Sequence, residues 1–158
     1  MELKELTTAF AAKMGIDGLT VEDGVCSMTI DDIPMDFTET PDGLAVVGVA
    51  VVGEPPPDKR EAFYEMLLQA NTQLYGTKGI ALGKSPDTGE IMLIGGLPFK
   101  GLELQEFCKD LDEFVSKAEE WREALENFRP AAEEAAVRDE EDAQFRRFGV
   151  NGPGFMSV

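Results

Sequence analysis

Three features of this sequence have residue types suited to chemistry, and their spacing decides what each one is. Gly79-Ile80-Ala81-Leu82-Gly83-Lys84-Ser85 ends in Gly-Lys-Ser, as a phosphate-binding loop does. Such a loop has four residues between its glycines and opens a helix whose N-terminus faces the phosphates. Here three intervene and the turn Pro86-Asp87-Thr88-Gly89 follows, so nucleotide binding is not expected. The acidic groups Asp31-Asp32, Glu119-Glu120, Glu133-Glu134 and Asp139-Glu140-Glu141-Asp142 carry the charge needed to hold Ca²⁺ or Mg²⁺ or to move protons. None has the calcium-loop spacing with its central glycine and terminal glutamate, and they read as solvated faces. Cys26 and Cys108 lie far apart without CxxC spacing. A reactive thiolate needs cationic neighbours or a helix N-terminus. Lys109 adjoins Cys108, but consecutive helical residues point about 100° apart, so both cysteines read as core thiols.

The wider composition narrows the function further. The chain has 158 residues, 14 Lys plus Arg against 31 Asp plus Glu, a formal charge of −17 and no histidine. Ser-His-Asp and Cys-His catalysis, His-ligated zinc and imidazole pH switches are excluded. Two cysteines cannot build a four-cysteine zinc site, and their sparse use suits a reducing compartment. The negative charge disfavours nucleic-acid backbones and anionic membrane surfaces as partners. No basic, apolar leader is expected ahead of the first helix, and the longest apolar run, Leu44 to Val52, is too short to span a bilayer. The expectation is a cytoplasmic, non-enzymatic protein with no cofactor and no metal. Hydrophobic residues make up 43% of the chain, enough for one core at this length.

The elements follow from periodicity. Leu3, Leu6, Phe10 and Met14 recur at helical spacing, with Glu2 at the start and Gly15 beyond the end. An extended stretch through Leu19 and Val21 reaches the turn Asp23-Gly24. Cys26, Met28 and Ile30 then share one strand face, as do Ile33, Met35 and Phe37 after Asp31-Asp32, predicting a hairpin. Pro34 lacks a donor, so the second of these strands lies at an edge or starts there. Thr40-Pro41-Asp42-Gly43 is turn chemistry ahead of Leu44–Val52, a run with no polar side, predicting a strand covered on both faces or on one face plus a partner. After Pro55-Pro56-Pro57, Asp58 is the candidate N-cap of a second helix that carries Phe63, Met66, Leu67, Ala70 and Leu74 and stops at Gly76 and Gly79. Ile80–Lys84 and Glu90–Ile94 form a second hairpin, and Gly95-Gly96-Leu97-Pro98 reads as a loop. The cleanest register follows: Leu104, Phe107, Leu111, Phe114, Val115, Ala118, Trp121, Leu125 and Phe128 on one long helix. Pro130 breaks it, and an Ala/Glu-rich stretch and a Gly/Pro-containing tail come after. The fold class is α+β, in the order α-β-β-β-α-β-β-α, with a twisted antiparallel five-stranded sheet and helices packed on it. The domain reading is 1–128 for this unit and 129–158 for a helical extension and tail.

A short sheet does not need three helices on one side. Tyr64 and Leu68 also broaden the apolar stripe of the second helix, so part of that helix is expected to meet another subunit.

Several stretches in this order carry a family likeness. They are Asp23-Gly24-Val25-Cys26-Ser27-Met28-Thr29-Ile30-Asp31-Asp32, Tyr64-Glu65-Met66-Leu67-Leu68-Gln69-Ala70-Asn71, and Gly79-Ile80-Ala81-Leu82-Gly83 with Ser85-Pro86-Asp87-Thr88-Gly89-Glu90-Ile91. With Phe114-Val115 and Ala118-Glu119-Glu120-Trp121 in the long helix, the chain over residues 1–128 resembles the class I type III secretion chaperones of the Tir chaperone group. The resemblance implies a homodimer built through Phe63, Tyr64, Met66, Leu67, Ala70, Leu74, Ile80 and Leu82. It also implies that the dimer binds, without ATP, the extended N-terminal segment of a secreted effector, with the secretion ATPase as a candidate further partner. An extended segment adds a strand to an exposed sheet edge while its side chains fill pockets. The candidates for those pockets are Leu3, Leu6, Phe10 and Met14 on the first helix and Val25, Met28, Ile30, Ile33 and Met35 on the first hairpin; these side chains are equally candidates for the core. In the tail, Phe145, Phe148, Val150, Phe155 and Met156 are candidates to dock on an apolar groove. Two other classes stay open at this level: a small ligand-binding α+β enzyme and an acidic inhibitor of a folded basic target.

Overall fold

A computed structural model describes residues 2–72, 79–98, 101, 103–130, 133, 135–136 and 139–140. Contacts divide the chain into two compact units, Met1–Asn127 and Phe128–Val158. In the first, the order is α1 (Leu3–Met14), β1 (Thr20–Glu22), β2 (Val25–Ile30), β3 (Ile33–Glu39), β4 (Ala45–Gly53), α2 (Arg60–Asn71), β5 (Ala81–Lys84), β6 (Ile91–Pro98) and α3 (Leu104–Glu126). In the second, Glu133 donates its N–H to the Pro130 carbonyl at 2.9 Å. Phe145, Phe148, Val150, Phe155 and Met156 lie outside the described residues.

The sheet is antiparallel, as expected, but it has six strands rather than five, in the order β1-β2-β3-β4-β6-β5. The extra strand is β1, which pairs with β2 across Asp23-Gly24 in the register Thr20↔Ser27, Val21↔Cys26, Glu22↔Val25. All three of its residues are exposed, so it has no burial pattern to announce it and exists by pairing alone. Two-residue turns of this kind need positive φ at both positions to match the strand twist. Asp23 (49°) and Gly24 (81°) supply it, as do Asp31 (48°) and Asp32 (64°) between β2 and β3.

Pro34 is tolerated because it sits at the start of β3. It faces Thr29 on β2, and the ladder with β4 begins one residue later at Met35↔Ala50. α2 begins one residue later than predicted, with Lys59 and not Asp58 at the N-cap. β6 runs straight through Gly95 and Gly96, where the sequence predicts a loop. The reason is packing. Gly95 lies opposite Gly48 on β4, and the Phe114 ring of α3 covers both. A Cβ at either glycine would stand 3.1–3.3 Å from ring atoms, so the flat backbone is the seat of the phenyl group. Phe37 meets the same ring edge-on, with centroids 6.0 Å apart and planes at 70°.

The core lies between one sheet face and α1 with α3. Met28, Ile33, Met35, Phe37, Val46, Ala50, Ile91 and Leu93 meet Leu6, Phe10, Phe107, Leu111, Phe114 and Ala118 there, all nearly inaccessible. Both cysteines are buried in this layer. Gly15, left-handed at φ 68°, ends α1 by donating to Ala11.

Candidate functional site

Alternation along β4 splits the sheet into unlike faces. Val46, Gly48, Ala50 and Val52 are buried beneath α3, while Ala45, Val47, Val49 and Val51 point the other way and are half-buried. Directly opposite Val49 and Val51 stand Ile94 and Met92 of β6, also half-buried. These six side chains form an apolar row on the face that α1 and α3 leave uncovered. The same face turns polar across β2 and β3, where Ser27 donates to the Asp36 carboxylate at 2.6 Å and Thr29 and Thr38 are exposed. The unbroken apolar run Leu44–Val52 predicted this surface, although its residues were not singled out as a site.

The two sheet edges also differ. On β5, Asn71 at the end of α2 donates Nδ2 to the Leu82 carbonyl and accepts the Leu82 N–H on Oδ1, both at 2.9 Å. Those backbone groups point away from β6, so one asparagine closes the edge. On β1, Glu22↔Val25 flanks a two-residue turn and is therefore a hydrogen-bonded pair. By alternation Val21↔Cys26 is not one, and the Val21 N–H and C=O face outward. Val21 itself is 37% exposed. Among the described residues nothing covers this edge.

The predicted pocket residues fall on both sides of the surface. Leu3, Leu6, Phe10, Met28, Ile30, Ile33 and Met35 are buried within the protomer, whereas Val25 is half-buried and Met14 is 50% exposed. Of the predicted dimer residues, Phe63, Leu67 and Leu82 are buried, and Tyr64, Met66, Ala70 and Ile80 are half-buried. Beside them Leu68 is 70% exposed. Leu74 lies outside the described residues. Sequence reasoning missed Val21 and Asn71. A short exposed strand and a lone asparagine at a helix end give no pattern.

The Gly-Lys-Ser segment is a closed hairpin turn. Ser85 N–H bonds the Glu90 carbonyl, Thr88 N–H bonds Ser85 Oγ and Gly89 N–H bonds the Ser85 carbonyl, leaving no backbone cradle for phosphate. Among the described residues no group of three or more acidic or thiol side chains converges as a metal site. At the β2–β3 turn, Arg122 of α3 donates to the Asp31 carbonyl, and the protonated Glu119 carboxyl can donate to the Asp31 carboxylate. That hydrogen bond, with partial desolvation and the Asp31 charge, raises the Glu119 pKa, and Arg122 opposes the shift. In the β3–β4 turn, the Thr40 hydroxyl and the Leu44 N–H hold the exposed Asp42 carboxyl below its ordinary range. No described helix is long and apolar enough to cross a membrane.

The sequence matches the profile of the Tir chaperone protein (CesT) family over residues 5–122. No curated protein matches it. Among solved structures, a chain of the ExsC-ExsE complex is similar, with a TM-score of 0.65 at 19% identity, covering 84% of this chain and 99% of that one. A chain of the HopA1-SchA chaperone-effector complex gives 0.60 at 20% identity, covering 77% and 93%. A chain of the ExoT-SpcS complex from Pseudomonas aeruginosa gives 0.50 at 19% identity, covering 73% and 92%. At these identities the likeness establishes a shared fold.

Proposed function

Given that this chain belongs to the Tir chaperone protein (CesT) family, we propose that it is a non-enzymatic cytoplasmic chaperone. As a homodimer, it binds the extended N-terminal segment of a type III secreted effector and keeps that segment soluble. The observation that carries the reading is the free β1 edge. Its outward Val21 N–H and C=O accept a further strand, and the exposed Val21 side chain offers apolar contact to it. The solved HopA1-SchA structure, a chaperone-effector complex, supports the choice of ligand. For the homodimer, support comes from the uncovered row Val47, Val49, Val51, Met92 and Ile94 and from the half-buried and exposed apolar residues Met66, Leu68 and Ala70 of α2. Among the described residues no element of the monomer covers them, whereas a second copy brings the same surface to meet itself. The charge of −17 per chain keeps such a surface soluble and steers neutral or basic segments toward it.

The test is co-expression with the secreted proteins encoded beside this chain, followed by limited proteolysis and native mass spectrometry. Two copies of the chain bound to one protected N-terminal segment is the expected result. A monomer that retains only a folded partner contradicts the reading.

A further inference from the structure

A second recognition element lies at the opposite end of the sheet from β1. Arg60, the first residue of α2, and Lys84, the last of β5, line one cleft of about 350 Å³ with Glu54, Tyr64, Thr88 and Gly89. In a chain with more than twice as many acids as bases, two cations sharing one cleft is a departure from the rule. Neither is in an ion pair with a described residue. Lys84 instead lies over an aromatic ring. Its Nζ sits 5.6 Å above the Tyr64 ring, and its Cε lies 3.6 Å from where a Cβ on Gly89 would stand.

We propose that this cleft binds one carboxylate of the polypeptide ligand, an Asp or Glu side chain that fixes its register. The inference rests on the polypeptide-binding reading above. Charge selects the ligand: with Arg60 and Lys84 positive and Glu54 negative, the lining has a net charge of about +1, matched by one carboxylate and exceeded by a phosphate dianion. Backbone chemistry agrees, because the N–H groups of Ser85, Thr88, Gly89 and Glu90 are consumed inside the turn and offer no anion cradle of their own. Reach is sufficient. β5 lies five strand spacings from β1, about 24 Å, and an extended segment of about twenty residues spans about 66 Å, long enough to pass around the faces that the helices and a second subunit occupy. Against a surface that otherwise attracts basic residues, one acidic residue at a set distance from the β1 strand would reject frame-shifted binding.

The full-length protein is panned against random peptides of about twenty residues, alongside the variant Arg60→Gln/Lys84→Gln. Both substitutions are on exposed side chains and leave the fold intact. The expected result is that peptides selected by the native protein share an Asp or Glu at a fixed offset from their apolar residues, that the variant selects peptides without it, and that the native peptides bind the variant about tenfold more weakly. Peptides that bind with no acidic position, or that bind the variant equally, overturn this inference and leave the proposed function standing. Failure to select any peptide overturns the proposed function and this inference together. Displacement by inorganic phosphate at concentrations where acetate has no effect identifies a phosphate site and overturns the carboxylate assignment.

Discussion

The two edges of one sheet have been given opposite fates. At β5, four residues long, the outward Leu82 N–H and C=O are taken by Asn71. At β1, three residues long, the equivalent groups of Val21 face outward with no described partner. Exposed edges invite pairing with other chains, and proteins ordinarily blunt them. Here the protein closes the edge beside α2 and leaves open the edge at β1. An edge kept short and flanked by Glu22 and Asp23 resists casual pairing yet can still accept one chosen strand.

The contrast depends on a rigid sheet between the edges, so the largest effect comes from removing what holds it. Phe114→Ala empties the seat over Gly48 and Gly95 and is expected to cost about 3–5 kcal/mol, read as a lower midpoint in urea. Asn71→Ala erases the difference between the edges. It leaves the Leu82 pair unsatisfied, is expected to cost about 1–3 kcal/mol, and speeds amide exchange at Leu82. Val21→Pro makes the contrast work in reverse. It removes the outward N–H without touching the β2 ladder, so stability is expected to change by less than about 1 kcal/mol while ligand affinity falls by about tenfold or more in calorimetry. The smallest effect is at the β2–β3 turn. Because the Glu119 pKa is raised in the folded state, its contribution is present at acid pH and is lost as pH rises through that raised value. Glu119 is largely solvated, so Glu119→Gln is expected to flatten the pH profile of stability by no more than about 0.5 kcal/mol above the ordinary carboxylate range.

What was legible in the sequence was what local chemistry enforces. Asp23-Gly24 and Asp31-Asp32 announced their turns, and the apolar period of α1 and α3 announced which faces are buried. Tertiary demands were not legible. Gly95-Gly96 reads as a loop until Phe114 is seen to need a flat strand beneath it. A period of two says that Met28, Ile33 and Met35 share a face, but not that α1 and α3 already cover it. Val21 and Asn71, which set the two edges apart, have no pattern of their own, since each matters through backbone groups rather than side-chain type.

Hydrogen exchange at the Val21 amide, compared between the free chain and its complex with the protease-protected effector segment, tests the open edge most directly. Slowing of Val21 exchange by about a hundredfold on binding, with Leu82 nearly unchanged because Asn71 already holds it, is the predicted result. Val21 exchanging equally fast in the saturated complex would contradict the account.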